Sequence, residues 1–197
     1  MRWLRRSFAR LCRLRHSRGF GVQSPTDYRF VCYVINEHDP YYMYEDLASR
    51  LPSLSAERRK LCELYFRLSN YCQAAHFIDI CPPDHVYAEY VRSACRRTKV
   101  WTVGSVDAKI RLGEPGRSVF VRASWHEGID EMLVRLLGQV APGSVLVLEG
   151  IKEVRAERML WSRLTAHPAV GASYDLYDCG IIIADNRRYK KNYIINF

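Results

Sequence analysis

The chain has 197 residues, 48% hydrophobic, 26% charged and 12% aromatic, with 30 Lys and Arg against 21 Asp and Glu for a net charge of +9. That length carries a core without metals or disulfides, and the composition excludes a disordered chain. No apolar run approaches the roughly 18 residues of a membrane span; the longest candidate, Cys179 to Ala184, is strand-sized.

The charge is concentrated at one end. No acidic residue precedes Asp27, whereas Arg2, Arg5, Arg6, Arg10, Arg13, Arg15 and Arg18 do, so the rest of the chain is close to neutral. Trp3, Leu4, Phe8, Leu11 and Leu14 recur at near-helical spacing among these arginines. The pattern predicts an amphipathic basic helix without the apolar core of a secretory peptide. Its plainer reading is an apolar stripe packed on the domain with solvated arginines; the alternative is a contact with nucleic acid or an anionic surface through Arg2, Arg5, Arg6, Arg10 and Arg13. Seven cysteines, with no Cys-x-x-Cys pair and no His at ligand spacing, predict reduced thiols in a cytoplasmic protein and no metal site.

Ser24-Pro25 is a helix start, a capping hydroxyl before a proline. The helix it opens holds Tyr28, Val31, Cys32 and Ile35 at helical spacing and ends at Asp39-Pro40. A short helix before Pro52 follows the aromatic stretch Tyr41, Tyr42, Met43 and Tyr44, and Ser55 caps a longer one carrying Leu61, Leu64, Tyr65, Leu68 and Cys72. Strands are expected at His76–Ile80, Val100–Val103, Ser118–Arg122 and Ser144–Glu149, with helices at about Pro83–Cys95, Gly128–Val140 and Glu153–Ala166. Ala172–Leu176, Gly180–Ala184 and Lys191–Phe197 read as closing strands, with no helix between the last two, predicting an antiparallel pair at one edge. The fold class is α/β, a doubly wound, mostly parallel sheet with an antiparallel C-terminal hairpin. Residues 1–73 are a basic helical extension packed on the core and residues 74–197 are the core, one compact domain in all.

This layout resembles class I S-adenosylmethionine-dependent methyltransferases. Gly21-Val22-Gln23-Ser24-Pro25, followed by Tyr28-Arg29-Phe30, resembles the opening "HG-(V/I)-H-SP-F-V-(Y/F)" of a bacterial group of methyltransferase-like proteins. Leu64 to Tyr71 is similar to that group's "LLFRLVNYF" helix, and Leu148 to Trp161, His167 to Val170, Tyr174 to Leu176 and Gly180 to Ile183 are similar to its C-terminal half. The resemblance runs from about Arg15 to the end and implies a Rossmann-like fold, with adenosylmethionine held at the strand ends.

At the positions that would carry that chemistry the sequence departs from the family. Asp79 keeps the acid at the end of the first strand, but the loop after it is Cys81-Pro82-Pro83-Asp84-His85, where the family has glycines. Two prolines remove two N–H donors and fix φ. Gly104 stands where an acid takes the ribose hydroxyls, and Arg122 where the third strand leads to an Asp. Relatives resembling catechol O-methyltransferase bind Mg²⁺ through "DD" and "IH"; this chain reads Glu149-Gly150-Ile151-Lys152. The positions matching the cofactor site are thus Asp79, Cys81 and Gly104, the last two departing from it, and no metal is expected.

Together these departures imply a cofactor-divergent or non-catalytic relative with a binding or scaffold role, its partner a small molecule or a protein. The alternative is an active small-molecule O-methyltransferase using adenosylmethionine, with Asp79 near the methionine end and Glu149 or His126 near the acceptor. Three other groupings have plainer readings. Cys81 with His85, Asp79 and Asp84 can be drawn as an activated thiol, but reads first as a buried cysteine beside a solvent-facing histidine. Tyr41, Tyr42 and Tyr44 can form a lid, but read first as helix packing. Arg187 to Lys191 can add a basic patch, but reads first as a solvated turn.

Overall fold

In a computed structural model the chain is described at residues 11–14, 19–106, 108, 110, 112 and 116–197. Helix α1 (Pro25–Phe30) starts where Ser24 accepts a hydrogen bond from the Asp27 amide, and runs directly into a π-helical turn, Val31–Ile35. The last carbonyls of a helix have no partner within it. The buried Arg67 side chain meets them, Nε donating to the Val34 oxygen at 2.7 Å and Nη2 to that of Ile35 at 3.2 Å. Helix α2 (Met43–Arg50) is short, and α3 (Ala56–Cys72) is capped by Ser55 and stopped by Gln73 in the left-handed region.

The sheet contains β1 (His76–Ile80), β2 (Lys99–Val103), β3 (Val119–Ser124), β4 (Val145–Glu149), β5 (Val170–Asp175), β6 (Cys179–Ala184) and β7 (Lys191–Ile194), in the order β2-β1-β3-β4-β6-β5-β7. β1 pairs in parallel with β2 and β3, and β3 with β4; β6 runs antiparallel to both β4 and β5, and β7 lies parallel to β5. Helices α4 (Val86–Ala94), α5 (Ile129–Leu137) and α6 (Arg155–Ala166) complete the fold. Alternation sorts the strands between two cores. Phe77, Phe120, Val145, Val147, Tyr174 and Ile181 meet α3 and the residues around it, whereas Ile78, Val121, Leu146, Leu148 and Ile182 meet α5 and α6. This is the doubly wound, mostly parallel sheet expected from the sequence, with helices on both faces. No helix among the described residues is long and apolar enough to cross a membrane.

Three local expectations change. The expected antiparallel C-terminal hairpin is present as β5 with β6, but it lies inside the sheet, and the edge strand is the parallel β7. Helix α4 begins at Val86 because the Asp84 carboxylate takes the Val86 amide at 3.0 Å, leaving both prolines outside it. The basic turn after β6 is tied down: Arg188 Nη2 donates to Asp27 Oδ2 at 2.5 Å, and Lys190 Nζ donates to the Ala166 and His167 carbonyls at the end of α6. A lysine there answers the unpaired carbonyls of a helix end.

Of the N-terminal pattern, Trp3, Leu4, Phe8, Arg2, Arg5, Arg6 and Arg10 lie outside the described residues. Leu11 and Leu14 are exposed, and it is Arg13 that turns onto the domain, its Nη2 on Asp175 Oδ1 at 2.8 Å and its guanidinium over the Tyr177 ring. For these residues the expectation is reversed: the apolar positions face out and the arginine packs. The tyrosine stretch also divides. Tyr41 and Tyr44 pack on Phe66, each with ring centroids 5.2 Å from it, whereas Tyr42 is exposed.

Candidate functional site

The carboxyl ends of β1, β3 and β4 lie together, the place where open α/β sheets bind ligands. Register decides what meets there. Asp79 stands opposite Arg122 and Ser124 opposite Glu149. Counting by two along each strand, Phe77 and Asp79, Phe120 and Arg122, and Val147 and Glu149 share the face toward α3 and α4. The sheet therefore sets one arginine between two acids.

Arg122 is fully buried and joins them. Its Nη2 donates to Glu149 Oε2 at 2.9 Å and its Nε to Oε1 at 3.1 Å, a two-pronged contact, while Nη1 reaches Asp79 Oδ1 at 3.3 Å. Tyr65 on α3 donates its hydroxyl to Glu149 Oε1 at 2.7 Å. Tyr87 on α4 lies under two cations, with its ring centroid 5.1 Å from the Arg122 guanidinium carbon and 5.4 Å from that of Arg58. Arg58 in turn grips both oxygens of Asp84.

The electrostatics follow from two carboxylates sharing one guanidinium. Burial pushes the Asp79 carboxyl up to about 6; Arg122 opposes the rise, and Glu149 and Asp84 add to it. Burial alone would lower Arg122, but Glu149 above all, with Tyr65 and Asp79, holds it above its ordinary value as a fixed cation. Burial also raises the Tyr65 and Tyr87 hydroxyls, with Glu149 adding to both, so they are donors and not bases.

The residues read from the sequence as a site are only partly assembled. Asp79 and Glu149 come together through Arg122. Cys81 is half-buried, packs into the α5 face and sits at φ +47, a left-handed conformation glycine adopts more easily. Its supposed acids are taken, Asp79 by Arg122 and Asp84 by Arg58, and His85 is exposed, so no activated thiol is built. Gly104 is exposed with open space where a side chain would stand. His126 is half-buried with Nδ1 3.0 Å from the Ser124 carbonyl oxygen, an acceptor that makes Nδ1 the protonated nitrogen. Sequence reasoning missed Tyr65, Tyr87 and Arg58, which come from helices flanking the sheet, and treated Arg122 only as a lost acid.

Beside this floor an open pocket of about 600 Å³ is lined by Arg58, Lys60, Tyr87, Glu149, Asp178 and Phe197 among others. The Glu149 side chain, 17% exposed, is where the buried cluster reaches it. Among the described residues, no group of three or more His, Cys, Asp or Glu side chains is placed to hold a metal ion. Nor do the residues present fit adenosylmethionine: the acid that would meet it is engaged by Arg122, the loop beyond carries two prolines, and Gly104 offers no carboxylate.

No protein-family model matches the chain, and no curated protein matches it. Among solved structures it is similar to the mitomycin 7-O-methyltransferase MmcR, at 12% identity over 71% of this chain and 59% of that one, with a TM-score of 0.40. A TehB-like SAM-dependent methyltransferase from Corynebacterium glutamicum is 11% identical over 72% of this chain and 97% of that one, with a TM-score of 0.39. Human N-acetylserotonin methyltransferase is 12% identical over 82% and 68%, with a TM-score of 0.35. The chain spans less than two thirds of the mitomycin enzyme's length. All three carry methyltransferase names, and the likeness is one of fold alone.

Proposed function

We propose that the chain is a cofactor-divergent, non-catalytic protein on a methyltransferase-type sheet, working by binding and not by methyl transfer. The observation that carries this reading is Arg122 between Asp79 and Glu149, which commits both strand-end acids to an internal cation. A buried arginine with three charged hydrogen bonds leaves only at high cost, since each carboxylate would be stranded away from water. The proline-bearing loop and Gly104 support it, because each lacks groups that the family's cofactor contacts require. A surface left for a ligand is the pocket beside Glu149, and buried thiols outside any disulfide suit a reducing, cytoplasmic setting.

Titration calorimetry with S-adenosylmethionine and S-adenosylhomocysteine tests the reading. No heat at roughly 1 mM ligand is the expected result. Micromolar binding lost in Asp79→Ala would overturn it in favour of methyl transfer, with Glu149 or His126 near the acceptor. Binding of nucleic acid through the N-terminal arginines gains no support from Arg13, whose guanidinium is spent on Asp175.

A further inference from the structure

The cluster at the strand ends has the chemistry of a binding site as well as of a structural ion pair. Arg122 receives a carboxylate fork from Glu149, a second carboxylate from Asp79, and an aromatic ring from Tyr87. A planar cation asks for the same set: paired acceptors in its plane and a π-face against it. The set is braced from outside. Tyr65 fixes the Glu149 carboxylate with its hydroxyl, and its ring lies 4.7 Å from that of Tyr87. The charged groups around the floor are Asp79 on β1, Arg122 on β3, Glu149 on β4, Arg58 on α3 and Asp84 before α4, and the pocket beside it adds Glu57, Lys60 and Asp178. Because Arg58 and Asp84 satisfy each other, the inner set holds two carboxylates against one guanidinium, which favours a cation over any anion.

We infer that Asp79, Glu149, Tyr65 and Tyr87 form a receptor for a planar organic cation, and that the protein's own Arg122 occupies it as a tethered ligand. Arg122 reaches the receptor from β3, within the sheet, while the open pocket meets it at Glu149. A guanidinium supplied from solution therefore has a way in once the tethered one is removed. The inference deepens the reading above, since the occupied receptor is what closes the strand-end acids to a cofactor, but its test does not involve adenosylmethionine.

The experiment is the thermal unfolding of Arg122→Ala with methylguanidinium chloride at roughly 20 mM, well below denaturing concentrations. Methylurea, a neutral isostere, and sodium chloride are the controls. The midpoint of Arg122→Ala is expected to rise by about 3 °C or more with methylguanidinium alone. Wild type, Arg122→Met, which fills the space without charge, and the double variant with Glu149→Gln are expected not to respond. A response equal in wild type, an equal effect of methylurea, or no response in Arg122→Ala overturns the inference. Should Arg122→Ala be unfolded alone, recovery of native circular dichroism with the probe supports it, and failure to recover at the same concentration overturns it. Binding of adenosylmethionine by wild type would remove the proposed function and leave a positive result here standing, so the two fail separately.

Discussion

Asp79 and Glu149 do not share Arg122 equally. Glu149 takes two of its nitrogens and the Tyr65 hydroxyl, whereas Asp79 takes one contact of 3.3 Å. Glu149→Gln is therefore expected to cost about 3 kcal/mol, measured by denaturant titration, and Asp79→Asn distinctly less. The pH dependence has a definite sign. The folded Asp79 carboxyl, near 6, lies above its ordinary 3.8, so between these values the native state holds a proton that the unfolded state has lost. Asp79 thus favours the fold at the acidic end of that window and loses that contribution as pH rises through about 6. Wild type measured against Asp79→Asn should become relatively less stable between pH 5 and pH 7.5, and a flat difference would count against an unequal sharing of the cation. All three residues were legible in the sequence as departures or survivals of a pattern. Their union was not, because it depends on strand register, although counting by two from Phe77, Phe120 and Val145 places them on one face.

Among the elements, the strands and helices of the α/β half were readable because hydrophobic alternation and helical spacing report burial directly. The position of β6 was harder. Its all-apolar run Cys179–Ala184 fits an interior strand as well as a hairpin arm, and only pairing puts it between β4 and β5. Trp161 of α6 lies against it at Gly180, where an added Cβ would clash with the indole ring. The glycine lets the helix approach the sheet so closely. Gly180→Ala is expected to destabilise by about 1–3 kcal/mol through overpacking, with altered tryptophan fluorescence in the native state. The start of α4 was misread for a related reason: a proline marks a first helical turn on average, but the Asp84 side chain fixes this one.

For the whole molecule, the division at residue 73 is a boundary of pattern, and we propose that it is not one of stability. Asp27, in the segment that carries the resemblance, is buried in contact with three residues from the far end of the chain. Tyr174 donates to it at 2.7 Å, Tyr193 at 2.9 Å and Arg188 at 2.5 Å. Burial alone would raise its carboxyl, but these donors hold it below the ordinary value, so its contribution is present above about 3.8 and is lost as pH falls further, the opposite sign to Asp79. Asp27→Ala strands Arg188 and is expected to cost about 3–5 kcal/mol. Tryptophan fluorescence and far-ultraviolet circular dichroism should report one shared transition for wild type. Separate transitions would mark residues 1–73 as an independent unit.

The reversed β6 also sets a schedule. β4 lies beside β3 on one side, and its other edge finds no hydrogen-bonding partner until β6, some 30 residues later, folds back against it. The seat of Asp27 closes later still, since Arg188 stands 161 residues beyond it and Tyr193 166. During synthesis the apolar edge of β4 and the first helix both wait for the last strands. Contacts of such long range are slow to form, so a nascent chain exposes this apolar edge, an aggregation hazard, until β6 and the strands after it have paired.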